Sequence, residues 1–549
     1  MRQSYFKIMK RFMILAAVIL AFAAAPKVPA GAQSKSFNLA RWMQTETALL
    51  QELNRSYVDS LPVERMQKAG IDAMLATLDP YTIWVPEDEN EDFELMINHS
   101  YGGIGAIIWK PEKNGPVIIN EPYEGSPAAL SGLRCGDEIL AIDGATTVGL
   151  DATEASSRMK GKPGTKVTFS VRRVYTGAIE DITVTRRKIH LPNVEYSGLL
   201  EDGRTGYVLL TGFTEGAASE VRTAVADLQK QGMKELVLDL RGNGGGVLQE
   251  AVEIVGIFMP KGTVVVSAKG NALSREENYR TSAAPIAESL PLIVMVDSGS
   301  ASASEIVAGS LQDYDRATIM GARTFGKGLV QSVRPMPYGG QLKVTTAKYY
   351  IPSGRCVQAI DYSNRAEDGS VGHIPDSLTH EFTTAHGRKV RDGGGITPDV
   401  VLKGREYSRI SYALAYNGII EHYTIDYVRA HESIAPVKDY HFDDYEGFIK
   451  FALASDFDAR TSAMASYDRM VEELRKDGLE ESFAAELKAL KARLDMDKET
   501  FLRLKKDEIV PLIEQEIVSR YYFQRGAVEM NLRYDTVLRE ALASPRISY

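Results

Sequence analysis

The stretch SASASEIVAGSLQDYDRATIMGARTFGKGLVQ, Ser300–Gln331, carries the strongest chemical signal in this chain. It follows an apolar run, Pro291–Val296, that predicts a buried strand. Beyond a turn at residues 297–299, apolar residues recur at helical spacing from Ala303 onwards. The sequence therefore places small hydroxyl residues where a strand turns into a helix. Free backbone N–H groups and the positive end of a helix dipole meet there, which suits a nucleophile whose substrate develops an oxyanion.

Ser302 has two interpretations. With Glu305 it fits a Ser-x-x-Glu capping box, in which the serine only holds the start of the helix. Lys327 favours a chemical role, because a lysine that follows an aromatic residue and lies between two glycines is poorly explained as a solvated charge. A lysine buried beside a serine has a lowered pKa and can act as a general base. Such a dyad needs no histidine, and the eight histidines form no motif that suggests a catalytic triad.

This segment resembles the active-site region of the carboxyl-terminal processing peptidases, also called tail-specific proteases. The resemblance implies that Ser302 is the nucleophile, that Lys327 is the general base and that Gln331 orients the lysine. In the family, as here, nucleophile and lysine lie 25 positions apart, a spacing that selects Ser302 over Ser300 and Ser304. The family consists of serine-type endopeptidases, so the resemblance implies an enzyme without a metal or another cofactor.

A glycine-rich turn, Arg241–Gly246, follows the predicted strand Glu235–Leu240. A phosphate loop would end in Gly-Lys-Ser/Thr, which is missing, and the acidic partner of a dinucleotide fingerprint is not evident. The family resemblance implies a different use for the turn. The N–H of Gly245 or Gly246 would form an oxyanion hole together with the N–H of Ala303.

Residues 101–190 resemble a PDZ domain. A glycine loop followed by a strand, Tyr101–Ile108, resembles the PDZ element that binds the terminal carboxylate of a peptide and pairs with the peptide as an added strand. A second marker, Gly125–Gly144, has the helix start, turn and strand in the order that PDZ domains use. The residues expected to bind the peptide are Gly102, Gly103, Ile104, Gly105 and Ala106.

The chain is long enough for several domains, and we expect an α/β multidomain protein. An N-terminal helical region is predicted for residues 35–100, the β-rich PDZ domain with its helices for 101–190, an α/β protease core for 191–404 and a helical region for 405–549. Within the core, the polar residues 361–392 predict a solvated insertion. The last region lacks sustained heptads, so we expect it to pack on the core or to form a homodimer rather than a long coiled coil.

Residues 1–32 have the pattern of a secretory signal peptide. Basic residues precede an apolar run, Phe12–Ala25, and the small residues 30–32 supply a cleavage site. An uncleaved membrane anchor is the alternative, although the run is short for a spanning helix. We therefore expect a protein secreted across the inner membrane into the periplasm, with membrane contact only if the segment stays uncleaved.

Composition narrows the choice of partners. The formal net charge of −9 argues against nucleic acid. The two cysteines, Cys135 and Cys356, fit neither a metal site nor a disulfide framework, and His373, His380 and His386 match no standard metal-ligand spacing. We expect protein or peptide substrates with free C-termini. The alternative is a non-catalytic protein of the same architecture that binds tails through its PDZ domain or serves in assembly.

Overall fold

The computed structural model describes residues 35–90, 93, 100–270, 276–365, 369–458, 460–494 and 497–547. The predicted signal peptide lies outside these residues. The chain divides into two compact units, the first ending at Met74 and the second beginning at Leu75. Within the described ranges, each helix is too short or too polar to cross a membrane.

Two helices begin the described chain, α1 (Lys35–Ser56) and α2 (Val63–Ala76). The predicted helical region of residues 35–100 extends less far than expected. Ile83–Val85 forms a short strand, β1, which pairs with Gln341–Lys343 of the core and therefore belongs to a sheet of the second unit. Between α2 and β1, the Asp79 carboxylate accepts hydrogen bonds from the N–H groups of Tyr81 and Thr82 and so holds a tight turn.

The predicted PDZ domain is an antiparallel sheet with two helices. Its strands are β2 (Ser100–Gly103), β3 (Ala106–Trp109), β4 (Val117–Pro122), β5 (Glu138–Ile142), β6 (Ala145–Thr146), β7 (Lys166–Arg172), β8 (Ile179–Thr185) and β9 (Arg187–His190), and its helices are α3 (Pro127–Leu130) and α4 (Ala152–Met159). The sheet order is β3-β4-β5-β7-β8, with β6 on β5, while β2 pairs with β9 where the chain enters and leaves. Strand β3 lies at the sheet edge, as peptide addition requires.

The core is built on two larger sheets. Its strands are β10 (Val194–Leu199), β11 (Thr205–Leu210), β12 (Glu235–Asp239), β13 (Val264–Lys269), β14 (Glu277–Arg280), β15 (Leu292–Val296), β16 (Thr318–Gly321), β17 (Leu329–Pro335), β18 (Gln341–Tyr350), β19 (Ile360–Arg365), β20 (Val371–His373), β21 (Glu381–Thr383), β22 (Lys389–Arg391) and β23 (Val400–Val401). The central sheet has the order β10-β11-β12-β15-β16-β23 and is parallel from β11 to β23. The second sheet is antiparallel, in the order β1-β18-β13-β14, with β17 also on β18.

Both faces of the central sheet are covered, which is why β15 is apolar at every position. Helices α5 (Ala217–Lys230), α6 (Leu248–Val255) and α7 (Ala303–Asp313) pack on one face. Side chains of the C-terminal helices pack on the other. Of the two predicted arrangements of the C-terminal region, packing on the core is therefore the one observed within the chain.

The described residues of the polar segment 361–392 include paired strands. The segment contains two hairpins, β19–β20 and β21–β22. Arg388 anchors it, because its guanidinium pairs with the buried carboxylates of Asp315 and Asp399. The segment is thus fastened to the core by ion pairs of Arg388.

The C-terminal region is helical, as predicted. Its helices are α8 (Arg409–Tyr416), α9 (Ile419–Ala430), α10 (Tyr445–Ala454), α11 (Ser462–Lys476), α12 (Ala484–Leu494), α13 (Lys498–Leu504), α14 (Lys506–Tyr534) and α15 (Thr536–Ala543). A second hydrophobic core lies among them, with Phe448, Leu502 and Ile513 almost fully buried. Helix α14 is broken at Phe523, whose φ of 56° is outside the helical region.

Candidate active site

Three loops meet at one edge of the central sheet. Strands β12, β15 and β16 are neighbours and parallel, so the loops that follow their carboxyl ends lie side by side. These loops contain the glycine turn Arg241–Gly246, Ser302 and Lys327, in that order. Crevices at the carboxyl ends of parallel strands are the usual binding sites of such sheets. The fold thus brings together residues that the sequence separates widely.

Ser302 differs from its two neighbouring serines. Ser300 and Ser304 are fully buried, and their hydroxyls donate to the carbonyl oxygens of Leu240 and Asn243 at 2.7 and 2.8 Å. Ser302 is partly exposed at the N-terminus of α7, with φ 56° and ψ −111°. A positive φ is rare for a residue with a side chain and is typical of strained functional turns. The geometry therefore favours Ser302 over the other two, as the motif spacing does.

Glu305 joins the serine loop, residues 297–302, to the lysine loop, residues 322–328. Its side chain is fully buried, and its carboxylate accepts from the backbone N–H groups of Ser302 (2.9 Å), Gly326 (2.8 Å) and Lys327 (2.8 Å) and from the Thr324 hydroxyl (2.6 Å). Burial raises the pKa of Glu305, while these four hydrogen bonds act to lower it. The bond to Ser302 is the glutamate half of the predicted capping box. Here the same carboxylate also sets the position of Lys327.

Lys327 is partly buried and has a lowered pKa of about 8. Burial is the largest cause, and the positive charge of Lys343 lowers the pKa further, while Asp79 and Glu305 raise it. The Nζ atom lies over the ring of Tyr81, 4.2 Å from the ring centroid. A lysine with such a pKa is neutral often enough near pH 8 to accept a proton.

Ser302 and Lys327 line one cavity of about 380 Å³. It is partly open to solvent and is lined by both polar and apolar groups. Its other lining residues are Thr214, Gly244, Gly245, Gly246, Val247, Leu248, Ala303, Ile306, Leu329, Val330, Gln331, Val333, Lys343 and Tyr349. The cavity therefore contains each predicted catalytic and oxyanion-hole residue.

Gln331 lines the cavity but makes a different contact from the predicted one. Its amide Nε2 donates to Thr345 Oγ1 at 3.2 Å on the adjacent strand. No hydrogen bond between Gln331 and Lys327 is found in the described part of the chain. The predicted hold on Lys327 is provided instead by Glu305, through the lysine's backbone N–H.

Gly245 and Gly246, the two glycine candidates for the oxyanion hole, differ in whether their N–H groups already have an acceptor. The Gly245 N–H already donates to Asn243 Oδ1 at 2.9 Å. Gly245 also lies against the serine loop, since an added Cβ would come within 2.8 Å of Ser302 Cβ, and its φ is +96°. Among the described residues, no protein group accepts from the N–H of Gly246 or of Ala303. The geometry therefore favours Gly246 and Ala303 as free donors.

Several residues around the site were not identified from the sequence as parts of it. Glu305 was visible only as a capping residue, and Tyr81 was not assigned to the site. Asn243 is fully buried and bonds to Leu210 O and Gly245 N, which fixes the glycine turn. Lys343 could not be identified from the sequence, because a single lysine in a strand is usually a solvent-exposed charge.

The predicted PDZ loop has the expected position at the start of β3. Gly105 has φ +74°, a backbone conformation that favours glycine. Gly102 and Gly103 do not have positive φ values. They are constrained sterically instead, because a Cβ would lie 2.3 Å from Gly161 O at Gly102 and 2.7 Å from the Tyr101 ring at Gly103.

A narrow groove runs beside this loop between β3 and α4. It is lined by Tyr101, Ile104, Ala106, Ile108, Ser156, Met159 and Lys160. Ile104 and Ala106 of the predicted peptide site line the groove, while Gly102, Gly103 and Gly105 are not among its lining residues.

Neither cysteines nor histidines form a site in the described residues. Cys135 and Cys356 are free thiols. His380 and His386 contact the carboxylates of Asp392 and Asp315. No three His, Cys, Asp or Glu side chains in the described ranges are grouped as metal ligands.

Three family descriptions match separate parts of this chain. "Peptidase family S41" matches residues 204–364, "PDZ domain" matches residues 118–173, and "Probable PDZ-protease, C-terminal helical domain" matches residues 410–544. These ranges fall within the central core, the PDZ sheet and the C-terminal helices described above. The predicted fold class is thus confirmed.

Individual relatives agree with these matches. A "Probable CtpA-like serine protease" of Staphylococcus aureus (strain bovine RF122 / ET3-1) is 35% identical over 307 residues, which cover 56% of this chain and 60% of the relative. A "Carboxy-terminal-processing protease" of Bartonella bacilliformis is 34% identical over 316 residues, which cover 57% of this chain and 71% of the relative. The match thus spans 60% of the length of the staphylococcal relatives.

A solved structure, "Photosystem II D1 C-terminal processing protease", is 27% identical with a TM-score of 0.36, covering 67% of this chain and 89% of that one. The curated relatives and the matched domains agree on one family. The chain belongs to the carboxy-terminal-processing proteases of peptidase family S41.

Proposed function

We propose that this protein is a serine endopeptidase that cleaves proteins near their C-termini, with Ser302 as nucleophile and Lys327 as general base. The observation that carries the proposal is the cavity that Ser302 shares with Lys327, whose pKa burial lowers to about 8. A hydroxyl at a helix N-terminus and a lysine that can be neutral are the groups that acyl transfer by a serine–lysine dyad needs.

The proposed chemistry has two stages. Neutral Lys327 takes the proton of the Ser302 hydroxyl as Oγ attacks the scissile carbonyl carbon, and it then protonates the leaving amine. A water molecule, deprotonated by Lys327, then attacks the acyl carbon of the resulting ester, and Ser302 Oγ leaves and takes the proton back from Lys327. In both stages the oxyanion accepts hydrogen bonds from the N–H groups of Ala303 and Gly246, which carry no protein acceptor in the described residues.

The PDZ domain is proposed to select the substrate. A free C-terminus would place its carboxylate on the N–H groups of Ile104, Gly105 and Ala106 and extend along β3, the edge strand. The apolar side chains that line the groove favour apolar tail residues. The substrates are thus proposed to be proteins whose C-terminal tails are unstructured and apolar.

Export is part of the proposal as well. The basic, apolar and small-residue pattern of residues 1–32 supports secretion into the periplasm. N-terminal sequencing of protein purified from the periplasmic fraction tests this proposal, with Gln33 as the expected first residue. Protein found only in the membrane fraction, with its first residues intact, would support the uncleaved anchor.

The activity is tested with an unfolded protein that has a free C-terminus as substrate. Ser302→Ala is expected to abolish cleavage, and Ser304→Ala, which loses only a buried bond to Asn243 O, to retain substantial activity. Lys327→Arg is expected to be inactive, because arginine does not give up its proton in proteins. Cleavage by the Ser302→Ala variant at the wild-type rate would refute the role of Ser302, and a wild-type protein that binds the substrate without cleaving it would favour a tail-binding protein.

A further inference from the structure

The C-terminal helical region reaches the candidate active site through Asp535. The Asp535 carboxylate accepts from Arg241, the first residue of the glycine turn, with Nη2 2.6 Å from Oδ2 and Nη1 3.4 Å from Oδ1. On its other side the guanidinium donates through Nε to both oxygens of Asp239, at 3.0 and 2.9 Å. Asp239 is almost completely buried and also accepts from the Tyr207 hydroxyl at 2.7 Å. Arg241 is therefore held between a carboxylate of the core and one of the C-terminal region.

Hydrogen bonds join the glycine turn directly to the serine loop. The Gly242 N–H donates to Asp297 Oδ1 at 2.9 Å, and the same oxygen accepts from the N–H groups of Gly299 and Ser300. The Asn243 carbonyl oxygen accepts from the Ala301 N–H at 3.0 Å. The turn that begins at Arg241 is thus bonded to the residues just before Ser302, and a shift of Arg241 would be transmitted to both oxyanion donors.

Asp535 does more than begin a helix. Its Oδ1 accepts from the Leu538 N–H at 2.8 Å and caps α15. A cap needs one oxygen, and asparagine fills that role as well as aspartate does. The second oxygen, Oδ2, lies toward Arg241, and the Asp535 side chain is only 14% exposed. The ion pair is therefore shielded from salt more than a surface pair is.

We propose that Asp535 is a positioning residue for catalysis, which holds Arg241 and thereby keeps the turn Gly242–Gly246 in the conformation that offers an N–H to the oxyanion. This inference rests on the proposed peptidase function. It gives the C-terminal helical region a role in the reaction itself: Asp535, which caps its last helix, supplies one of the two carboxylates that hold Arg241.

A second ion pair of the same segment supplies a matched control. Arg546 pairs with Glu235 at 2.6 and 3.0 Å, so it also joins the C-terminal segment to β12. Glu235 is the first residue of β12 and Asp239 the last, so the two pairs lie at opposite ends of one strand. Loss of either pair weakens the docking of the C-terminal segment, but only the Asp535 pair contacts the glycine turn.

The experiment compares Asp535→Asn, Asp535→Glu and Arg546→Gln in the full chain, with a short peptide that does not depend on the PDZ domain. Asp535→Asn is expected to lower kcat about tenfold or more with little change in KM, as the loss of oxyanion stabilisation does. Asp535→Glu should recover part of kcat, and Arg546→Gln should stay within about twofold of wild type. An unchanged kcat in Asp535→Asn, or an equal loss in Arg546→Gln, would overturn the proposal.

Amide hydrogen exchange gives a readout that needs no activity. Asp535→Asn should accelerate exchange in Gly242–Gly246, and Arg546→Gln should not. If the wild-type protein and Ser302→Ala are both inactive, the proposed function has failed, and exchange still decides whether Asp535 positions the turn. Equal exchange in Asp535→Asn and wild type contradicts the positioning role whatever the activity.

Discussion

The ammonium group of Lys327 lies over the face of the Tyr81 ring, with Nζ 4.2 Å from the ring centroid. Tyr81 precedes the PDZ domain in sequence and Lys327 follows it, so the contact unites two chain segments that flank an entire domain. The ring covers one side of the lysine and contributes to its burial, which is the largest cause of its lowered pKa. Tyr81 therefore belongs to the environment of the proposed general base.

Truncation of this ring should change the pH dependence of cleavage. Tyr81→Ala admits water to Lys327, which raises the lysine's pKa toward its ordinary value and lowers the neutral fraction. Burial is the largest cause of the lowered pKa, so we expect the gain of water to outweigh the lost cation–π attraction, which acts in the opposite direction. The midpoint of the acid limb of kcat/KM should move upward in Tyr81→Ala and stay near wild type in Tyr81→Phe. A midpoint that does not move in Tyr81→Ala contradicts this account.

Lys343 provides a second test of the same pKa. In the wild type, activity should rise with pH through about 8, because Lys327 must be neutral and only about one tenth of it is neutral at pH 7. The positive charge of Lys343 disfavours a second charge in the cavity. Lys343→Met should therefore shift the acid limb to higher pH, while Lys343→Arg should leave it near wild type. If the acid limbs of Lys343→Met and Lys343→Arg coincide, the charge of Lys343 does not affect the pKa of Lys327.

The meeting of Ser302, Lys327 and the glycine turn in one cavity, and the presence of a PDZ domain, could be predicted from the sequence because each part lies in a short motif. Ser302 and Lys327 keep a fixed spacing, since one helix and one strand, α7 and β16, separate them. The apolar run of β15 and the helical periodicity after it were local signals too. Local motifs of this kind can be recognised from the sequence alone.

Contacts between distant segments could not be predicted in the same way. The three residues of β1 are too few to show a period, and their partner strand β18 lies beyond the whole PDZ domain. The Asp535–Arg241 pair joins the last helix to the first residue of the glycine turn. The partner of Gln331 was missed because strand register, which places Thr345 beside it, is set by the fold.

Glu305 is predicted to be essential for both folding and activity. Its carboxylate accepts from three backbone N–H groups and one hydroxyl, and in Glu305→Gln the amide NH₂ would face N–H donors. Buried donors without acceptors cost about 1–3 kcal/mol each, so a lower urea midpoint and a loss of activity of about 100-fold are expected. Glu486→Gln, at an exposed position of α12, is the control and should change neither. Wild-type activity in Glu305→Gln would show that the two loops hold their positions without it.

Gly105 is predicted to decide recognition of the terminal carboxylate. Its φ is +74°, and an added Cβ would lie 2.7 Å from Ser126 Cβ, so Gly105→Val distorts the loop. Wild type should bind a free-acid peptide about tenfold or more tightly than its amide, and Gly105→Val should lose that difference. Gly144→Val is the control, because its φ is also positive but a Cβ there meets open space. Equal binding of acid and amide by wild type would remove the tail-specific part of the proposal.

Glu121 lies where helix α14 meets the PDZ sheet. Its side chain is buried, Oε2 accepts from Gln524, and Oε1 has no hydrogen-bond partner. Burial, the largest cause, raises its pKa to about 7, while the Gln524 bond acts to lower it. The folded protein thus binds a proton between about pH 4.5 and 7 that the unfolded chain has already lost. Stability must therefore fall as pH rises through this window, and the penalty is fully present above pH 7.

Glu121→Gln should remove this penalty, because a neutral amide keeps an acceptor for Gln524 and has no charge to desolvate. The variant should be more stable than wild type at pH 8, by up to about 3 kcal/mol, with little difference at pH 4.5. Urea unfolding at the two pH values measures the effect. The exposed neighbour Glu124 supplies the control, since Glu124→Gln should change the urea midpoint little at either pH. In the folded protein the Glu121 carboxyl is protonated at pH 4.5 and ionised at pH 8. An equal gain in stability for Glu121→Gln at both pH values would therefore mean that packing, and not the charge, accounts for the gain.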